Sequence, residues 1–285
     1  MQSVVITGAS TGIGAACALR LAREGWQVFA GVRKEEDGRD LEQAAVGDLT
    51  PVRIDVTDDQ SIEGARKLVE DATGGHGLHG LVNNAGITVQ GALEYLAVDD
   101  LRRQFDVNVT GQIAVTQAFL PSIRAAGGRI VFMSSIAGRA PALPFLGPYA
   151  ASKKAIEALA DSLRIELLAW GIEVSIVEPG SIATPIWEKG DETFDDLVDS
   201  LPAEGRERYG VAMDRARKLA MQTGERGIPA DEVAKRVEHA LTSKKPRTRY
   251  LVGKDARARA LLENPLPDRV RDRIVGRVLG LKERP

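Results

Sequence analysis

The first fourteen residues constrain this chain more than any others. Gln2-Ser-Val-Val-Ile-Thr7 reads as a buried parallel strand, and Gly8-Ala-Ser-Thr-Gly12-Ile-Gly14 follows it directly. An apolar helix then runs from Ala15 to about Glu24. Strand, glycine-rich turn and helix, in that order, make a phosphate cradle. Gly8 permits the tight turn. Gly12 lets a pyrophosphate approach the amides at the helix N-terminus, and Gly14 allows the helix to pack closely on the strand. The spacing is GxxxGxG rather than GxGxxG, and a glycine-rich turn without a ligand is the alternative reading at this point.

A second constellation lies near the middle of the chain. Tyr149 and Lys153 are four residues apart in Tyr149-Ala-Ala-Ser-Lys153, one turn from each other on a single helical face. An ammonium there favours the phenolate of a tyrosine, whose ordinary pKa is about 10. Such a phenol can give a proton to a carbonyl oxygen or take one from an alcohol. YxxxK alone is common on helices, so its neighbours matter. Two short apolar strands end in polar residues: Leu78–Val82 runs into Asn83-Asn84-Ala85-Gly86, and Arg129–Met133 into Ser134-Ser135-Ile-Ala-Gly138. Ligands of open α/β sheets bind at such carboxyl ends.

TGASTGIG, NNAG, Asn108, Ser135, YAASK and Glu178-Pro179-Gly180 stand in the order and rough spacing of the short-chain dehydrogenase/reductase family, which the chain resembles from residue 2 to about 252. The resemblance implies an α/β fold, a doubly wound Rossmann-like parallel sheet with helices on both faces and strand order 3-2-1-4-5-6-7. It implies hydride transfer between a nicotinamide and a carbonyl or alcohol carbon. Tyr149 would be the general acid or base. Lys153 would help ionise it and bond the nicotinamide ribose. Ser135 would donate to the substrate oxygen, and Asn108 would hold a relay water. Gly8, Ser10, Thr11, Gly12, Ile13, Gly14, Asp55, Val56, Asn83, Ala85, Gly86, Pro179, Gly180, Ile182 and Thr184 would line the cofactor. Ser135 and Tyr149 are fourteen residues apart, one more than in many members of that family, and the loop between them carries three prolines. A loop absorbs one residue without moving its anchors. Ser134 is the competing assignment for the serine.

Cofactor choice is read from the end of the second strand, Val28-Phe-Ala-Gly-Val32-Arg33. An acid there marks NAD(H), because it binds ribose hydroxyls. Here Val32 takes that position and Arg33 follows, which points to NADP(H), since a guanidinium grips a 2′-phosphate. A stacking or solvent-facing Arg33, with an NAD-preferring 3-hydroxyacyl or 3-hydroxybutyrate-type dehydrogenase, is the alternative.

The chain has 285 residues and alternates strands with helices to about residue 250, so one domain is expected over 1–252. Strands are expected near 2–7, 27–33, 50–55, 78–83, 128–134, 172–178 and 248–252. Helices are expected near 12–24, 36–45, 58–73, 97–126, 149–170 and 230–243. The long stretch 181–229, with Trp187, Phe194, Tyr209 and Met213, reads as a lid over the substrate or as a solvated helical pair. A net charge of -2 gives no reason to expect nucleic acid. The single cysteine, Cys17, excludes an intrachain disulfide and reads as core filling. The three histidines lack a ligand cluster, so no metal is expected. The N-terminus enters a strand at once, without a leader pattern, and a cytoplasmic homodimer or homotetramer is expected.

Residues 253–285 carry nine Lys/Arg against five Asp/Glu, a net +4. Val270, Ile274, Val278 and Leu281 recur at helical spacing among arginines 269, 271, 273 and 277. This extension reads as a basic amphipathic helix that packs on its own domain or a neighbouring subunit, or that lies on an anionic membrane. Thr248–Asp255 is similar to the branch with retinol, hydroxysteroid and 3-hydroxybutyrate dehydrogenases. The expected substrate is a lipophilic or otherwise small ketone, aldehyde or alcohol. The presence of Asn108, Ser135, Tyr149 and Lys153 together argues against a nucleotide-sensing protein without turnover. The short chain and glycine spacing argue against an epimerase or dehydratase.

Overall fold

The computed structural model describes residues 1–185, 187, 194–261 and 267–281. Seven parallel strands form the central sheet: β1 (Ser3–Ile6), β2 (Gln27–Val32), β3 (Leu49–Arg53), β4 (Gly80–Asn83), β5 (Arg129–Met133), β6 (Glu173–Pro179) and β9 (Arg249–Val252). Their order is β3-β2-β1-β4-β5-β6-β9, the order the family resemblance implies. Helices α1 (Gly12–Arg23), α2 (Glu35–Ala44), α3 (Asp59–Ala72), α4 (Val98–Phe105), α5 (Gly111–Ala126), α6 (Gly147–Glu166) and α9 (Ala230–Thr242) connect them.

Alternation along the strands explains the two layers. In β1, Val4 and Ile6 pack with Cys17 and Leu21 of α1 and Val233 and Val237 of α9. Val5, between them, faces the opposite core with Phe119 and Ile123 of α5 and Ile156 of α6. Both faces are dry, so every residue of β1, β4 and all but the first of β5 and β6 is buried. Cys17 is fully buried and burial pushes its thiol up to about 12, which suits a core-filling thiol.

One feature differs from the sequence expectations, and two segments gain detail. The helix expected over 97–126 is interrupted: Asp106–Thr110 form a π-helical turn between α4 and α5. The long connection is built of β7 (Ile182–Ala183), α7 (Phe194–Asp199), α8 (Ala203–Glu225) and β8 (Ile228–Pro229). β7 and β8 pair in parallel and close the base of the excursion. Phe194 and Met213 of its helices, with Leu201 between them, pack on Ala92, Tyr95 and Phe145. After β9, α10 (Lys254–Leu261) and α11 (Asp268–Leu279) follow. The apolar stripe of α11 is not covered by its own domain: Val270, Ile274 and Val278 are 39%, 49% and 54% exposed, while Leu279 is the residue that buries. Among the described residues no helix is long and apolar enough to cross a membrane.

Candidate active site

Thr7, the last residue before the glycine turn, organises one pole of the site. Its hydroxyl accepts from the amides of Asn84 and Ala85, each at 3.0 Å. The Asn84 side chain donates back to the Thr7 and Gly8 carbonyls, also at 3.0 Å. The NNAG segment thus braces the glycine turn from the neighbouring strand. Gly8 and Gly12 have φ of 64° and 59°, and a Cβ on Gly14 would lie 2.2 Å from the Gly8 carbonyl oxygen. Thr11 precedes α1 without a side-chain capping bond, and the first turn of α1 has no acid. Its amides are left facing outward, which is the arrangement that receives an anion. The cradle therefore fits a pyrophosphate. Thr184 reaches this turn: a Cβ on Gly12 would lie 3.3 Å from its side chain. Ser10 and Ile13 are half-buried beside it.

Arg33 is exposed one residue beyond β2. Its charge reaches Asp55, whose carboxyl is held below the usual range first by the hydroxyl and amide of Thr57 and then by Arg33. Val56 is buried next to Gly111, and Gly86 lies against Asn108. Asn83 is held by its side chain on the side away from solvent. Its side chain is fully buried and donates to Thr116 at 2.8 Å, so it braces β4 on α5.

The other pole lies at the carboxyl ends of β5 and β6. Ser135 follows β5 and accepts from the Ala137 amide at 3.1 Å. Ser134 is buried, and its hydroxyl finds no hydrogen-bond partner. Ser135, by contrast, is close enough to the Tyr149 phenol to act on its proton affinity. Tyr149 and Lys153 rise from α6, which begins at Gly147 with Pro148 in its first turn. In the loop before α6, Phe145, with φ 67°, is the one non-glycine residue of positive φ among those described.

Burial is the largest influence on both Tyr149 and Lys153. The Lys153 ammonium lies 5.8 Å from the Tyr149 ring centroid and donates to the Met133 carbonyl at 2.7 Å. Burial pushes Lys153 down to about 8, with Glu157 pulling the other way. Burial also raises the Tyr149 phenol, and Ser135 opposes it.

Asn108 sits in the π turn and is fully buried. Its side chain accepts from the Ile87 amide at 2.8 Å and donates to the Ile87 carbonyl at 3.0 Å and to Ser152 at 3.2 Å. Gln104, one turn earlier, accepts from Val89 and donates to the same Ile87 carbonyl and to Ser152. Ser152 in turn donates to the Tyr149 carbonyl at 2.7 Å. This amide ladder ties the NNAG loop to the start of α6. Gln104, Ser152 and Thr7 were missed from sequence. The four-residue spacing of two side-chain amides, Gln104 and Asn108, was the available signal.

Behind Lys153 lies a partly buried charge cluster, with Glu178 at its fully buried end. Arg249 of β9 contacts Glu157 at 3.1 Å, Asp161 at 2.6 Å and Glu178 at 3.2 Å. Arg139 stands 3.6 Å from Glu178. Burial raises Glu178 to about 7, helped by Glu157 and opposed by Arg139 and Arg249.

A nucleotide cradle and a tyrosine–serine–lysine group at one edge of a parallel sheet define a dinucleotide-dependent oxidoreductase. The short chain dehydrogenase family pattern matches residues 2–194. An NADPH-dependent 3-dehydrocapnine reductase of Ornithobacterium rhinotracheale is 34% identical over 96% of this chain and 96% of its own. Retinol dehydrogenase 5 of Mus musculus is 38% identical over 97% of this chain and 88% of its own. A short chain dehydrogenase/reductase from Burkholderia phymatum, solved in complex with NAD, superposes with a TM-score of 0.77 at 25% identity, covering 93% of this chain and 96% of its own. The chain belongs to the short chain dehydrogenase family of NAD(P)(H) oxidoreductases.

Proposed function

We propose that this protein transfers hydride between NADP(H) and a lipophilic ketone or alcohol, with Tyr149 as the general acid or base. The observation that carries the reading is the convergence of Ser135 and Tyr149 at the edge where Thr184 meets the glycine turn. The nicotinamide, when bound, supplies or accepts the hydride. Gly8 to Gly14 and the open amides of α1 hold the pyrophosphate. Asp55, Val56, Ala85 and Gly86 border the adenosine side. Pro179, Gly180, Ile182 and Thr184 border the nicotinamide side. Ser135 donates to the substrate oxygen, and Tyr149 moves the proton at that oxygen. Lys153, with three N–H donors, keeps its Met133 bond and offers the rest to the ribose. The Asn108 side chain is consumed by Ile87 and Ser152, which leaves its main-chain carbonyl as the group for a relay water.

NADP(H) is favoured by the exposed Arg33 beside Asp55 and by the NADPH dependence named for the Ornithobacterium relative. The NAD held by the Burkholderia phymatum protein supports the second reading, an NAD-preferring enzyme. Residues 181–229 act as the lid: Phe194, Leu201 and Met213 meet Phe145 of the loop before Tyr149, and this apolar wall suits a lipophilic substrate. The decisive experiment follows NAD(P)H absorbance over a panel of ketones, aldehydes and alcohols, including steroids and retinoids. Tyr149→Phe should keep cofactor affinity within about threefold and lose at least about a hundredfold in kcat. Near-normal turnover in that variant would refute the assignment.

A further inference from the structure

β9 ends at Val252, and the chain turns back within three residues. Gly253, with φ 112°, makes the reversal. Asp255, in the first turn of α10, then aims its carboxylate at the loop that leaves β6. One oxygen, Oδ2, accepts from the Ser181 amide at 2.7 Å and from the Ser181 hydroxyl at 2.8 Å. The approach is so close that a Cβ on Gly180 would lie 2.4 Å from both carboxylate oxygens. Gly180 is thus demanded by the aspartate as well as by any ligand. The next residue, Ala256, is fully buried against Ile136 and Ala140, in and beside the turn that follows Ser135. The N-terminus of α10 therefore touches both arms of the site.

The loop it grips is the one that carries Ile182 and Thr184 to the glycine turn. Its other attachments differ in kind. Gly180 donates to the Val252 carbonyl at 2.9 Å, which is sheet. The Ile228 amide donates to the Ser181 carbonyl at 3.0 Å, and Trp187 donates to the Ile182 carbonyl at 2.7 Å; both come from the long excursion. Without Asp255 the stretch beyond Gly180 would depend on its bonds to the excursion.

We propose that Asp255 is a positioning residue for the dinucleotide site: by accepting both Ser181 hydrogen bonds it fixes residues 180–184 against the glycine turn and so sets cofactor affinity. This rests on the function proposed above. A carboxylate acceptor of two short bonds is among the stronger non-covalent anchors, and its loss frees a backbone amide and a hydroxyl at once. The extension past the last strand is in this respect part of the site.

The test titrates NADPH and NADH, by quenching of tryptophan fluorescence, into wild type, Asp255→Ala, Asp255→Asn and Ser181→Ala, with melting temperatures measured in parallel. Asp255→Ala should weaken NADPH binding about tenfold or more. Its cofactor KM should rise while kcat changes less than about threefold, a split that general destabilisation does not produce. Asp255→Asn keeps an oxygen acceptor and should recover most of the affinity, with Ser181→Ala in between. A folded Asp255→Ala that binds NADPH within about twofold of wild type would overturn the proposal. So would an Asp255→Asn as weak as the alanine variant, which would assign the effect to the charge seen by Arg259. Should Asp255→Ala fail to fold, the other two variants carry the comparison. Wild type that binds neither dinucleotide would defeat the function reading and this one with it; wild type that binds, with unchanged variants, would defeat this one alone.

Discussion

Lys153 holds an ammonium where burial resists it, and that conflict is measurable. The folded-state value of about 8 lies below the ordinary 10.5, so the folded protein binds this proton less tightly than the unfolded chain. The cost is complete below pH 8 and fades as pH rises toward 10.5. Lys153→Met should therefore be more stable than wild type at pH 7, by about 1–3 kcal/mol, and should lose that advantage by about pH 10. Urea unfolding at several pH values reads it, and an advantage that grew with pH would contradict the sign. Activity should be lost in the same variant, a conflict between stability and function expected of a site residue. Arg33 offers a cleaner cofactor test than its neighbour, since Val32 is buried and an acid there would be costly. Arg33→Gln should lower kcat/KM for NADPH about ten- to a hundredfold and leave NADH nearly unchanged. Equal effects on both cofactors would return Arg33 to a stacking or surface role.

The π turn shows what periodicity hides. An apolar pattern that continues through 97–126 looks like one helix, because inserting one residue into a turn barely alters which faces are apolar. The turn places Asn108 between Ile87 and Ser152, and both of its amide atoms are used there. Asn108→Leu leaves the half-buried Ile87 amide without its partner. A loss of about 2–4 kcal/mol is expected from the unpaired groups, together with loss of turnover. A melting temperature equal to wild type would show that the ladder carries no load. The glycine turn, the strand ends and the YAASK helix were legible because local spacing specifies them. The Thr7–Asn84 brace, the Gln104–Ser152 ladder and the Asp255 anchor join residues 48 to 77 positions apart and leave no local pattern. The stripe of α11 was legible as a stripe, yet nothing local could say that Val270, Ile274 and Val278 would stay uncovered.

Across the molecule, the sheet's last strand is bound to the site helix by charge. Arg249 of β9 is the common partner of Glu157, Asp161 and Glu178. Arg249→Met would leave the two buried glutamates facing each other with less compensation. The loss should reach about 3–5 kcal/mol. Glu178, raised to about 7, is largely protonated near pH 5.5 and ionised at pH 8. The damage should accordingly be smaller at the lower pH and larger at the higher one, as read by melting temperature. An equal loss at both would mean that Glu178 does not titrate in this range. One further consequence belongs to the β7–β8 pair. Ile182 sits opposite Ile228 and Ala183 opposite Pro229, so the excursion leaves and rejoins the body through a single clasp. Whatever lies between has its two ends held side by side, and its length or shape can be exchanged without re-aiming the sheet edge beneath. If the excursion covers the substrate as proposed, its replacement should alter substrate range and leave the sheet edge below it in place.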